Sequence, residues 1–163
     1  MSRRYTRKSG FSLLELVVVV VIIGIIAAIA IPRMSRGTAG AADSAVSGDL
    51  AVLRNAIDLF AAEHGNGFPT LANVTSQLTM YTDSSCSSTP VASKDATHLF
   101  GPYLRTVPKL PVGANKGQVG FTATAPVGSD ATGGWFYDEK TGKIQPNCVD
   151  AEVDAAGTKY NAY

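Results

Sequence analysis

The chain is poor in the residues that build metal centres and reactive sites: it has 2 histidines, 2 cysteines and 1 tryptophan in 163 residues. His64 and His98 stand far apart in the sequence and lack zinc-motif spacing. No phosphate-cradling glycine loop and no G-x-S-x-G elbow occurs. Cys86 sits in a polar stretch without a neighbouring histidine, which argues against a nucleophilic role. The sequence therefore offers no catalytic constellation, and we expect a protein that is not an enzyme. A second long apolar run is also missing, and the length suits one domain better than two.

The one long apolar run lies in KSGFSLLELVVVVVIIGIIAAIAIP, Lys8 to Pro32. From Phe11 to Ile31 only Ser12, Glu15 and Gly24 interrupt aliphatic or aromatic character. As a helix this stretch spans about 31 Å, close to the hydrocarbon thickness of a bilayer. Arg3, Arg4, Arg7 and Lys8 precede it without an acid among them, and only Arg33 and Arg36 follow nearby. The positive-inside bias keeps that N-terminus cytoplasmic and sends the rest across. The formal net charge of +1 hides an asymmetry: without the first ten residues, 10 Lys and Arg face 13 Asp and Glu, a net of −3. A mildly acidic exported domain has no evident attraction for nucleic acid.

Three readings suit this N-terminus. A secretory signal is one, since Ala28, Ile29 and Ala30 form an A-x-A pattern that would leave Ile31 first, but the run is long for an h-region and contains an acid. An uncleaved anchor is the second. Neither explains Glu15, although in a first helical turn it complements the helix dipole and reaches the headgroups.

The third reading rests on a resemblance. Gly10, Phe11, Ser12, Leu13, Leu14, Glu15 and Leu16, behind a basic leader, resemble the processing site of the type IV pilin and type II secretion pseudopilin superfamily. The resemblance implies cleavage by prepilin peptidase between Gly10 and Phe11, and N-methylation of Phe11. It makes Glu15 the fifth mature residue and Pro32 the twenty-second, both positions at which the family carries these residue types. Physical logic agrees: in an apolar filament core, Glu15 could neutralise the new Phe11 amine of a neighbouring subunit, so that burying either charge alone is penalised and register is set.

Pro32 should kink or loosen the helix, after which a helical pattern resumes. Val46, Leu50, Leu53, Ile57 and Phe60 form one apolar face, with Ser47, Arg54 and Asp58 elsewhere. We read this stripe as the surface on which a globular domain packs. The helix should end at Glu63 or His64, capped through Gly65 and Gly67 and barred by Pro69. Thr70 is expected to cap a short second helix with Leu71, Val74, Leu78 and Tyr81 on one side. Ser84 to Lys94 reads as a surface loop holding Cys86, and LFGPYLRTVPKLPVG, Leu99 to Gly113, as an extended, turn-rich crossover. Strands are expected at Gln118 to Thr124, Gly134 to Tyr137 and Lys143 to Gln145, the last two as a hairpin with Trp135 and Tyr137 packing inward.

The segments GPYLRTVPKLPVG and GGWFYDEKTGKI are similar to the soluble domain of major-type pseudopilins. The fold implied is α+β and pilin-like: a long N-terminal helix packed against a small antiparallel sheet. Its parts are a removed leader (1–10), a transmembrane and filament-core helix (11–31), its amphipathic continuation (32–64) and an exported globular domain (65–163). Two cysteines in an exported domain suggest a Cys86–Cys148 disulfide, against the alternative of two buried free thiols. The bridge would close a loop of about 63 residues, worth about 4 kcal/mol in the chain-entropy picture. Its spacing is wider than the usual pilin loop. Asp150, Glu152 and Asp154, with Asp130 and Asp138, invite a calcium reading, but EF-hand spacing is lacking and a solvated acidic tail is the default.

By resemblance the chain is a filament subunit, most readily a pseudopilin of type II secretion. The alternatives are a surface type IV pilin, serving adhesion, motility or DNA uptake, or a minor tip subunit that binds a ligand. Implied partners are copies of itself, other pilins or pseudopilins, the prepilin peptidase, an assembly platform protein and its ATPase. The implied location is the bacterial inner membrane, N-terminus cytoplasmic and globular domain periplasmic, and then the filament.

Overall fold

The computed structural model describes residues 10–124 and 133–163, without the side chains of 31–36 and 39. Leader residues 1–9 and the calcium candidate Asp130 lie outside the described residues. The chain divides into two compact units, one ending at Thr38 and the other Ala39–Tyr163. A single helix, α1 (Leu13–Glu63, 51 residues), contributes to both. Its backbone remains helical through Pro32, although proline has no amide hydrogen to donate to the preceding turn.

In the second unit the apolar face of α1 is buried as its periodicity requires. Val46, Leu50, Leu53, Ile57 and Phe60 are each at most 1% exposed, whereas Arg54 and Asp58 face out. The helix stops where left-handed backbone begins, with Gly65 at φ +63° and Asn66 at φ +66°. The Asn66 amide donates to the Ala61 carbonyl at 2.8 Å. Asparagine thus takes the second left-handed position, which its short polar side chain tolerates, and Gly67 is not needed there.

The second helix, α2 (Val74–Thr79), begins later than the Thr70 cap implies. Asn73 holds the N-cap position without a side-chain cap bond, and Thr70 instead donates its amide to Gln77 Oε1 at 2.8 Å. The nearly buried Gln77 ties the entering chain to α2, so Thr70 works as an anchor point outside the helix. Val74 and Leu78 are buried as expected.

The sheet has three strands in the order β1 (Phe121–Thr122), β2 (Trp135–Asp138), β3 (Lys143–Pro146). β2 and β3 form the expected antiparallel hairpin, Trp135 opposite Pro146 and Asp138 opposite Lys143. β1 runs parallel to β2, so the sheet is mixed, where antiparallel pairing throughout was expected. The first strand is also shorter than Gln118 to Thr124. The reason is that Gln118 is used by the crossover: Leu110 donates to the Gln118 carbonyl at 2.9 Å and Gly117 to the Leu110 carbonyl at 2.7 Å. Gly134 lets the strands approach, because a Cβ there would stand 2.3 Å from the Gln118 carbonyl oxygen.

Trp135 and Tyr137 alternate inward, both fully buried, and join the α1 stripe with Leu78, Leu110 and Ile144 in one core. Their polar ends are satisfied by proline carbonyls: Trp135 Nε1 donates to Pro108 at 2.9 Å, and the Tyr137 hydroxyl to Pro69 at 2.8 Å. Pro108 of the crossover and Pro69 of the α1–α2 connection thereby supply acceptors from irregular backbone that no strand ladder uses.

Candidate functional site

Gly10, Phe11 and Ser12 precede the helix in non-helical backbone, and the Ser12 carbonyl accepts the first helical bond from Leu16 at 3.1 Å. The Gly10–Phe11 peptide bond is therefore outside the helix, and a Cβ at Gly10 would meet nothing within 4 Å. Phe11 is 75% exposed.

Leu13–Ala30 has mean hydropathy 3.1 and no residue buried within the chain. Soluble proteins rarely leave so large a contiguous apolar surface uncovered, and by length and composition the segment fits a membrane anchor. Glu15 is the acid of the first turn, exposed, with no hydrogen bond or ion pair among the described residues. Its carboxylate therefore stands exposed at the N-terminal edge of the apolar surface, without a partner among the described residues.

The remaining candidates lie in the second unit. Cys86 and Cys148 are free thiols, so the structure does not contain the expected disulfide. Cys86 sits in a left-handed turn (φ +52°), its Sγ 3.9 Å from the Asp83 carbonyl oxygen, in a loop of half-exposed residues. Cys148 is 1% exposed, beside Gly113 and Glu152. Burial, with the nearby Glu152 carboxylate adding to it, pushes the Cys148 thiol up to about 12.

The C-terminal acids are engaged one by one. Asp150 accepts from Lys159 Nζ at 2.7 Å, Glu152 from the Val149 amide at 2.9 Å, and Asp154 from the Thr158 amide at 2.8 Å. Asp138 accepts from Thr141 at 2.8 Å. Among the described residues no group of three or more His, Cys, Asp or Glu side chains could hold a metal ion together. These carboxylates shape their own loops.

The histidines do form a constellation that sequence reading missed. His98, 8% exposed, directs Nδ1 at Asp95 Oδ2 (2.8 Å) and Nε2 at Ser88 Oγ (2.9 Å). The connectivity is that of an acid–base–hydroxyl triad, but Ser88 also donates its hydroxyl hydrogen to Asp83. With that hydrogen held by a carboxylate, Ser88 is a link between Asp83 and His98, and the four residues staple the loop. The hydrogen bonds hold the Asp83 and Asp95 carboxyls below the usual range, chiefly from the Ser88 hydroxyl and the His98 amide respectively. His64 is stacked on Phe60 at 4.0 Å and brings its Nε2 to 3.0 Å from the Asp83 carbonyl oxygen, so it borders the same loop without joining the side-chain chain.

The structure thus combines a helix whose N-terminal part is long and apolar enough to cross a membrane, a short non-helical segment before it, and a small α+β domain. Residues 5–31 match the family described as prokaryotic N-terminal methylation motif, which supports a type IV pilin-like precursor. Comparison with curated proteins and with solved structures gives no match.

Proposed function

We propose that the chain is a structural subunit of a type IV pilus-like filament, matured by cleavage between Gly10 and Phe11 and N-methylation of Phe11, and polymerised through α1. The observation that supports this reading is the juxtaposition of an unwound Gly10–Phe11 bond, a Glu15 exposed and without a partner among the described residues, and an apolar helix left uncovered within the chain. In the membrane, lipid covers Leu13–Ala30; in the filament, other copies of the helix do. The Glu15 carboxylate pairs with the Phe11 ammonium of a neighbour, and Pro32, which cannot donate to the Ala28 carbonyl, gives the helix a weak point for bending during that transfer.

Within this class we assign the subunit to a type II secretion pseudopilus, anchored with its N-terminus cytoplasmic and its globular domain periplasmic. The proline-rich crossover and the Trp135–Pro146 hairpin support this assignment. Separate Cys86 and Cys148 thiols also favour it over a surface pilin, in which a disulfide commonly closes the C-terminal loop.

N-terminal sequencing with intact mass of the membrane-extracted protein tests maturation. The expected product begins at N-methylated Phe11; a start at Ile31, or an intact leader, defeats the proposal. Deletion of the gene distinguishes the two filament types. Loss of exoprotein secretion with surface fibres intact is the pseudopilin outcome, and the reverse pattern assigns a surface pilin.

A further inference from the structure

Beside α2 an open groove of about 610 Å³ runs between the crossover and the approach to β1, lined by Val107, Pro108, Val119 and Thr75 among others. It continues past Arg105 and Thr79 into a second hollow of about 410 Å³ along Pro102 and Tyr103. The result is an elongated trough, its floor largely apolar, with Val119 43% exposed. Arg105 and Lys109 stand on it, and neither has an ion-pair or hydrogen-bond partner among the described residues. Elsewhere in this unit Arg54 and Lys159 are engaged, the former by the Ile144 and Tyr163 carbonyls and the latter by Asp150. Lys94 and Lys116 also lack a side-chain partner among the described residues, but Arg105 and Lys109 set their two charges on one apolar trough, in a domain whose overall balance is acidic.

The main chain of the crossover is open as well. Among the described residues the amides of Arg105, Thr106, Val107 and Lys109 make no hydrogen bond within the protein, while their neighbours Leu104 and Leu110 donate to the Leu78 and Gln118 carbonyls. Arg105 and Thr106 form a bend, and beyond it the open amides of Val107 and Lys109, two residues apart beside an apolar trough, offer donors to a peptide laid along them: main-chain bonds supply affinity, and side chains enter the floor. The two cations select against basic segments and for acidic ones.

We propose that this trough is a docking site for an extended peptide segment of a partner protein in which acidic and aliphatic residues alternate. The aliphatic side chains enter between Val107 and Val119, and the acidic ones meet Arg105 and Lys109 at the rim. The site is independent of the α1 surface and goes beyond the filament reading.

The test uses the full chain in an uncharged detergent and a fluorescein-labelled peptide of alternating glutamate and valine, read by anisotropy. Saturable binding is expected, weakened by added salt and lowered about tenfold by Arg105→Glu with Lys109→Glu. Val119→Asp is a second variant, acting on the floor and not the rim, and should weaken binding comparably. Circular dichroism confirms that both variants fold. Absence of saturable binding, equal binding of a lysine–valine peptide, or indifference to both variants overturns the proposal. If the charge reversals leave peptide binding intact but abolish association between chains, the occupant is a second copy and the partner-peptide assignment is wrong.

Discussion

The Tyr160 hydroxyl donates to the Asp43 carboxylate of α1 across 2.5 Å, joining residues 117 positions apart. Ala155 adds its amide to the same carboxylate at 3.2 Å, and farther along the helix Arg54 holds the Tyr163 carbonyl at 2.7 Å. The C-terminal segment is therefore fastened along α1 by two polar side chains flanking the buried stripe. Tyr160→Phe removes one bond to a charged acceptor and should cost about 1–2 kcal/mol in urea denaturation. Burial first, then Asp43, push the Tyr160 phenol upward. A raised folded value means the contribution is complete below the ordinary phenol value of about 10 and is lost as pH rises through the raised one. An unchanged denaturation midpoint in Tyr160→Phe would show that the segment is held by packing alone.

The Asp83–Ser88–His98–Asp95 staple makes an opposite prediction in acid. Both carboxyls are held low by hydrogen bonds, so their contribution is present above the unfolded carboxyl range of about 4 and is lost as pH falls toward the lowered values. Protection of the amides in residues 83–98, taken relative to their intrinsic exchange rate at each pH, should fall between about pH 4 and pH 2 before the core opens. Asp83→Asn with Asp95→Asn should abolish that local step while leaving exchange in β2 and β3 unchanged. A single cooperative loss of protection throughout the second unit would refute it.

Much of this architecture was legible in local pattern. The α1 stripe, the end of the helix near Glu63 and the Trp135–Pro146 hairpin each follow from periodicity or turn chemistry within a few residues. What escaped reading is non-local. Parallel pairing of β1 with β2 depends on the crossover taking Gln118, which no pattern in Gln118–Thr124 reveals. Thr70 has a capping residue's chemistry, but Gln77 competes for its amide. The Asp43–Tyr160 bond and the His98 staple join residues whose types are common on any surface, so only the fold brings out their pairing. At the N-terminus the reverse holds: Gly10, Phe11 and Glu15 are legible as a motif, and the structure adds the unwound backbone and an exposed Glu15 without a partner among the described residues.

The thiols yield a prediction that also decides their pairing. With Cys148 pushed up to about 12, its thiolate fraction at pH 8 is roughly one part in ten thousand, and its 1% exposure restricts access further. Iodoacetamide followed by peptide mass analysis should label Cys86 first in the folded protein, and Cys148 only after denaturation. Detection of a Cys86–Cys148 linked peptide without reducing agent would falsify the free-thiol arrangement.

Glu15 carries the most direct test of assembly. At the bilayer centre a carboxylate costs on the order of 3 kcal/mol on insertion scales, but Glu15 lies in the first turn of α1, where the cost is smaller. On the proposed maturation, Glu15→Ala should therefore insert and be cleaved at Gly10–Phe11 to the same extent as the unsubstituted chain, because neither step draws on the carboxylate. In a filament the same substitution leaves the Phe11 ammonium of a neighbour buried without a counter-charge, a loss of several kcal/mol repeated at every subunit. Filament yield in sheared or crosslinked fractions should fall at least tenfold. Glu15→Gln separates charge from hydrogen bonding: it keeps an acceptor oxygen in similar space but cannot neutralise the amine, so it should resemble Glu15→Ala. Normal filaments from Glu15→Gln would assign the residue a hydrogen-bonding role and remove the charge pair from the mechanism of assembly.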